Sequence, residues 1–189
     1  MKKSLSAVLV VAALSAPWAT HAQESYVKFG VGQGRYKMDG QDADKTGVSI
    51  AFGQSLAENW GYEIGYMTFG KWSGSETVAT VTEKASIRTQ SLYAALVGTL
   101  PLNESFSLIG KIGVAANQTK GTFSVTDTAE PANNQSSSDR DTKIKPMIGI
   151  GAAYNFTKEI AATIEYQHFG KVLGDLKVDA WTVGLKYGF

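Results

Sequence analysis

The sequence predicts an all-β protein: an eight-stranded, antiparallel, closed barrel of up-and-down topology that crosses a lipid bilayer. Three observations predict it. Eight segments place their large apolar side chains on one parity of an alternating pattern, the opposite parity holds glycine, small residues and a few charges, and the connections between segments alternate long and short. A strand turns successive side chains to opposite faces, so each segment has one apolar and one small or polar surface. The interior of an eight-stranded barrel is just wide enough for side chains to fill. Small residues and ion pairs therefore belong inside, and the large apolar face points outward, where lipid covers it.

The segments follow in order. YVKFGVGQGRY sets Val27, Phe29 and Val31 against Lys28, Gly30 and Gly32, and GVSIAFGQSL sets Val48, Ile50 and Phe52 against Ser49, Ala51 and Gly53. GYEIGYMTFGKW opposes Tyr62, Ile64 and Tyr66 to Glu63, Gly65 and Met67, and SLYAALVGTL opposes Leu92, Ala94, Leu96 and Leu100 to Ser91, Tyr93 and Ala95. FSLIGKIGVAA has Phe106, Leu108, Ile112 and Val114 against Ser107, Lys111 and Gly113, with Ile109 breaking strict alternation. KPMIGIGAAYNF has Ile148, Ile150, Ala152 and Tyr154 against Met147, Gly149, Gly151 and Ala153, and IAATIEYQHF has Ala162, Ile164 and Tyr166 against Thr163, Glu165 and Gln167. The last segment, WTVGLKYGF, puts Trp181, Val183, Leu185, Tyr187 and Phe189 outward with Lys186 among the inward residues. Each is near the ~9 to 11 residues a tilted strand needs to span a bilayer.

Between them, residues 37–46, 71–87, 117–142 and 170–177 form the longer connections, and 57–60, 101–105 and 157–159 the short ones. Outer-membrane barrels have this asymmetry, with short periplasmic turns, longer external loops and, for an even strand number, both termini periplasmic. The stretch 117–142 is polar, rich in Ser, Asn and Asp and broken by Pro131, which predicts a mobile solvated loop. Aromatic residues near the segment ends predict two interfacial girdles. Trp60, Tyr62, Phe106, Tyr154, Phe156, Tyr187 and Phe189 fall on the periplasmic side, and Tyr66, Phe69, Trp72 and Phe169 on the outer side.

Residues 1–22 read as a secretory signal peptide and do not count toward the 23–189 barrel. Lys2 and Lys3 precede the apolar run SAVLVVAALSA, and WATHA offers small-residue cleavage positions ending at Ala22. Of 18 Lys+Arg and 17 Asp+Glu, loss of Lys2 and Lys3 leaves 16 against 17, a net charge of −1 with no basic excess for nucleic acid. With no cysteine, the chain is not a disulfide scaffold and has no thiolate chemistry. No metal-ligand spacing is present and no cofactor is expected.

The inward parity carries Lys28, Glu63, Lys111, Lys145, Glu165 and Lys186. Isolated buried charges are costly, so these residues predict an ion-pair network that fills the lumen. A narrow gated diffusion path is the alternative use of the same charges. His168, outward on the seventh segment near the external rim, is the one histidine left after processing and the one candidate general base. Its neighbours QHFGK offer no local serine, so a lipid-modifying enzyme is the weakest reading and no catalytic residue is assigned. The glycine-rich GVGQGRY lies inside an alternating strand with no helix pattern after it, which argues against nucleotide binding.

Three stretches resemble the transmembrane domain of the outer membrane protein A family: NWGYEIGY at 59–66, KPMIGIGAAYNFTKEIAATIEYQ at 145–167, and the terminal LKYGF. The resemblance implies an integral protein of a Gram-negative outer membrane, surrounded by lipid and lipopolysaccharide and delivered by periplasmic chaperones to the barrel assembly machinery. It implies a structural or surface-interaction role, with external loops as the binding surface, rather than an enzyme. The family's glutamate-to-basic gate is not reproduced: Thr163 and Ala95 stand at its partner positions, Ala153 replaces an acid, and Lys111 stands where the family has an arginine. Many members continue into a peptidoglycan-binding domain; this chain is expected to stop at its eighth strand, so cell-wall tethering is not implied.

Tyr187 and Phe189 resemble the C-terminal signal read by the assembly machinery. Deleting Phe189 is expected to reduce barrel insertion in cells far more than it lowers the stability of protein refolded in detergent, compared by heat-modifiability of both preparations. Equal losses in both would reject the signal reading.

Overall fold

The computed structural model describes residues 25–38, 41–127, 129, 134–173 and 176–189; the expected signal peptide lies outside them. The chain forms eight strands: β1 (Ser25–Met38), β2 (Gln41–Ala57), β3 (Trp60–Val78), β4 (Val81–Pro101), β5 (Phe106–Asp127), β6 (Gln135–Asn155), β7 (Ile160–Leu173) and β8 (Leu176–Gly188). Each pairs antiparallel with its sequence neighbour, and β8 returns to β1, so the barrel is closed in up-and-down order. The closing seam runs from Lys37↔Lys177 to Tyr26↔Gly188. Beyond it, reciprocal backbone hydrogen bonds of 3.1 and 2.8 Å join Ser25 and Phe189. Within the band where all eight strands pair, closure leaves no edge open to lipid, which a membrane requires because hydrocarbon satisfies no backbone polar group.

The faces divide as the alternation requires. Phe29, Val31, Ile64, Leu96, Ile112, Ile150 and Val183 are about half exposed or more, whereas the residues between them line a packed interior. Ile109, the break in alternation, faces inward beside Val97 and Ala153. The short turns are held by local side-chain bonds. Asn103 Oδ1 accepts from the Ser105 and Phe106 amides at 2.9 and 2.8 Å, and Thr157 Oγ1 accepts from Glu159 and Ile160 at 3.1 and 3.0 Å.

At the other end the structure corrects the sequence. Residues 71–87 and most of 117–142, expected as loops, are paired strand: β3 and β4 stay in register to Val78↔Val81, and β5 and β6 to Val125↔Gln135. The wall therefore extends beyond the apolar band as two tall hairpins that share β4–β5 pairing out to Val81↔Asp127. Once the barrel fixes neighbouring strands side by side, each further pair forms without new loop closure, and Thr, Val and Phe in KGTFSVTD favour extended backbone. Residues 37–46 and 170–177 are likewise largely strand.

The β3–β4 hairpin turns through Ala79, whose φ of 54° lies in the left-handed region. Glycine adopts that conformation without the ~1 to 2 kcal/mol cost borne by a side chain. Ala79→Gly is expected to raise amide protection at residues 73–87 severalfold by hydrogen exchange, with no change in the membrane-spanning strands.

Candidate functional site

The lumen holds a buried polar cluster and is built in two layers. The first is a charged ring in the half nearer the short turns. Lys28 of β1 reaches Glu63 of β3 at 2.9 Å and Glu165 of β7 at 2.6 Å; Lys111 of β5 reaches the same two carboxylates at 2.6 Å each. Two cations and two anions thus alternate around a closed square, drawn from every second strand. All four side chains are almost completely buried. Tyr26 and Tyr93 add their hydroxyls to Glu63 at 2.9 and 2.6 Å, and Gln167 donates to Glu165 at 2.7 Å.

Glycine makes room for this ring. A Cβ on Gly53 would fall 2.2 Å from the Tyr26 ring, and one on Gly65 2.4 Å from the Tyr93 ring. Each tyrosine lies across a glycine on the neighbouring strand and so aims its hydroxyl at the carboxylate. The small inward residues read from the sequence are therefore the space the tyrosines occupy.

The second layer is apolar and lies toward the long connections. Phe69 of β3 and Phe169 of β7 meet across the barrel at 5.0 Å between ring centres, edge to face at 79°. Met67, Met147, Tyr93, Ala115 and Val178 surround them. Both phenylalanines precede a glycine of positive φ, Gly70 at 75° and Gly170 at 72°. Both stand at a β-bulge: Thr68↔Gln90 is followed by Lys71↔Arg88, and His168↔Asp179 by Lys171↔Lys177, so two residues oppose one. The bulge on β7 withdraws a carbonyl from the ladder, and Asn117 Nδ2 donates to that Phe169 oxygen at 3.0 Å.

Placement of the expected site residues is mixed. Lys28, Glu63, Lys111 and Glu165 form the ring. Lys186 lies 5.1 Å from the Tyr26 ring centre, a cation–π contact beside the ring, and Lys145 is half-buried farther out, beside Gly170. Trp60, Tyr154, Phe156, Tyr187 and Phe189 are exposed at the short-turn end, with Phe106–Tyr154 and Tyr154–Phe156 ring pairs at 4.8 and 5.1 Å. Tyr62 donates to Gln54 at 2.6 Å, and Tyr66 to Gln90 at 2.9 Å.

The outer girdle needs correction. Phe69 and Phe169 are fully buried lumen residues, not interfacial ones. Trp72, half-buried, pairs with Ile87, which shares the parity of buried Thr89; the extra bulge residue has carried it to the inner face. Tyr66, with the Tyr166–Trp181 pair at 5.0 Å, supplies the outward aromatics instead. A signal for the plug was present in the sequence. I-x-Y-x-x-F-G-K occurs twice, at 64–71 and 164–171, on strands that stand opposite in an eight-membered ring.

His168 is outward, as parity requires, and its Nδ1 lies 2.5 Å from Asp179 Oδ1. Arg35, in register with Asp179, binds Asp44 at 2.9 Å. The acid next to the histidine is thus part of a row of alternating charge on the outer face of β7, β8, β1 and β2, an arrangement that orients the imidazole.

Removing one member of a buried charge set leaves an uncompensated ion, which costs about 3 to 5 kcal/mol. Lys111→Met is expected to lower the urea midpoint of the refolded barrel correspondingly, whereas Lys186→Met, outside the square, shifts it by less than about 1 kcal/mol. Equal shifts would show that the square has no special energetic place.

Comparison with known proteins agrees with this architecture. A family model described as outer membrane protein beta-barrel domain matches residues 6–189. Outer membrane protein A of Yersinia pseudotuberculosis is 25% identical over 126 residues, 66% of this chain and 33% of its own length. That of Serratia marcescens is 23% identical over 145 residues, 76% and 36%. The chain thus spans about a third of the length of these relatives. Among solved structures, Ail of Yersinia pestis, crystallised with the heparin analogue sucrose octasulfate, aligns with a TM-score of 0.65 at 24% identity, covering 88% of this chain and 99% of Ail. Neisserial surface protein A aligns at 0.62 with 14% identity, covering 87% and 97%. With eight strands closed in a ring, an apolar exterior and a family match over nearly its whole length, the chain belongs to the outer membrane β-barrel protein family and is an integral outer-membrane barrel of the OmpA-like type.

Proposed function

We propose that the protein is a non-enzymatic envelope barrel whose lumen is closed and whose two tall hairpins form a contact surface for partners outside the cell, with the short turns and both termini in the periplasm. The carrying observation is the continuation of β3 to β6 well past the apolar band as a paired, polar wall. A rigid wall presents side chains at fixed spacing, which lowers the ordering cost of binding relative to an open loop. Lipid and lipopolysaccharide surround the barrel, and the chaperone and assembly contacts implied by Tyr187 and Phe189 belong to its biogenesis.

The channel reading is the weaker one, for a specific reason. Any path must cross both the Lys28–Glu63–Lys111–Glu165 square and the Phe69–Phe169 contact. Opening one layer leaves the other shut.

The test displays the protein on cells that lack other adhesins and measures their retention on immobilised heparin and on epithelial monolayers. Removal of residues 122–138, joining Gly121 to its register partner Asp139, is expected to leave a heat-modifiable barrel and to abolish retention. Unchanged retention would overturn the contact-surface reading. In planar bilayers the intact protein is expected to be silent, as is Phe69→Ala alone; discrete conductance from the intact protein would favour the channel.

A further inference from the structure

The outer rim of the barrel is asymmetric in charge. On β7, β8, β1 and β2 one outward rung alternates in sign, His168 with Asp179 and Arg35 with Asp44, and the exposed Lys171 and Lys177 face each other in register beyond it. On β3 to β6 a whole rung is cationic. Lys71 pairs in register with Arg88, Arg88 with Lys120, and Lys120 with Arg140. Four consecutive strands thus put a cation at the same rung of the ladder.

The rung faces outward. Arg88 shares the parity of exposed Leu92, Lys120 that of exposed Val114, and Arg140 that of exposed Ile144, while Thr89, Asn117 and Met147 on the alternate parity are buried in the lumen. All four cations are exposed, and among the described residues no carboxylate is bonded to any of their side chains. The acids on these strands lie on the other parity: Asp141 is taken by Lys143 at 3.4 Å, and Asp139 accepts the Arg140 amide at 2.8 Å.

The height of the rung is set by the strand. Below it on the same face come a polar rung, Thr68, Gln90, Gln118 and Thr142, and then an apolar one, Tyr66, Leu92, Ala116 and Ile144. From Trp60 to Lys71 a strand rising ~3.3 Å per residue and tilted ~40° climbs roughly 25 Å, the height of the apolar band. Because strands tilt, rungs are oblique. The one through Trp60 passes Gly98 and Gly110 to Ile150, inside Tyr154, so each rung climbs from β3 toward β6. The cationic rung begins at the headgroup level with Lys71 and rises away from the membrane to Arg140.

We propose that Lys71, Arg88, Lys120 and Arg140 form a binding site for the phosphate groups of outer-leaflet lipopolysaccharide. With neighbouring strands ~4.8 Å apart, the four cations form a stripe on the lipid side of the wall. Its lower end meets the lipid A phosphates and its upper end the anionic inner sugars of the same molecule. Charge complementarity selects this occupant: uncompensated cations at an interface whose outer leaflet carries phosphomonoesters gain charge-assisted bonds there. The site lies on the outer face of the wall, separate from the hairpin tips. It rests on the proposed orientation, with the short turns in the periplasm.

The test uses the whole chain refolded in detergent and measures retention of purified lipopolysaccharide and of its dephosphorylated form. At ~1 kcal/mol per cation near an anionic surface, Arg88→Gln with Lys120→Gln is expected to weaken lipopolysaccharide binding roughly thirtyfold, and the quadruple glutamine variant further. The charge-keeping set K71R, R88K, K120R and R140K, and the control K158Q at a short turn, are expected to bind as the parent does. Dephosphorylated lipid is expected to bind weakly to all variants. Unchanged affinity in a heat-modifiable quadruple variant would overturn the site, as would equal loss for phosphorylated and dephosphorylated lipid. A third arm separates this inference from the contact-surface reading. Loss of heparin binding with lipopolysaccharide binding intact would assign the rung to external partners and reject it as a lipid site. Should the quadruple variant fail to fold, the double variant decides by the same criteria.

Discussion

A narrow barrel in a membrane has an interior that neither lipid nor bulk water fills, and the square of Lys28, Glu63, Lys111 and Glu165 is how this chain fills the middle of it. The square ties together β1, β3, β5 and β7, so it joins strands that share no backbone ladder. Each ammonium is shared by two carboxylates, and Tyr26, Tyr93 and Gln167 complete the hydrogen bonding. That completeness allows four charges to stay in a poorly solvated space. Other inward positions follow from it: glycine where a tyrosine must lie flat, and alanine or threonine where the wall must come close.

The apolar plug above the square solves a different problem. Charges cannot fill the outer half of the lumen without further partners, and Phe69 and Phe169, inward by parity and each at a bulge, meet on the axis instead. The glycine after each phenylalanine absorbs the left-handed backbone of the bulge. The same bulge resets parity beyond it, so that Trp72 changes face and Lys71 aligns with Arg88. One local device thereby ends the outward aromatic row and begins the basic rung on the outer face, beside the plug that closes the lumen.

Inside and outside, this protein uses the same cations under opposite rules. A buried lysine requires a carboxylate from its own chain. An exposed one at the membrane interface requires none, because the surrounding leaflet can provide the anion. The His168–Asp179–Arg35–Asp44 rung alternates in sign, whereas the Lys71–Arg88–Lys120–Arg140 rung is cationic throughout, so the two sides of the exterior differ.

The sequence by itself determined the number of strands, their order and which face each turns to lipid. Alternation of Phe29 with Gly30, or Leu96 with Ala95, is a local property, and a one-residue shift would expose every small inward residue to lipid. It also named all four members of the square, because charges on an inward parity must meet. Only the tertiary structure decided which of the six inward charges were close enough to pair, since the stagger between strands, invisible in any single segment, sets heights along the lumen. It left Lys145 and Lys186 outside the square for that reason. Likewise, parity counting cannot cross a bulge, so Trp72 was read on the wrong face, and Phe69 and Phe169 were assigned to lipid by their place near segment ends although their parity was inward. The long connections were read as loops from composition, but adjacent strands already held by the barrel extend their ladder into any polar sequence that tolerates extended backbone. What a residue prefers is written locally; what lies beside it is fixed only when the ring closes.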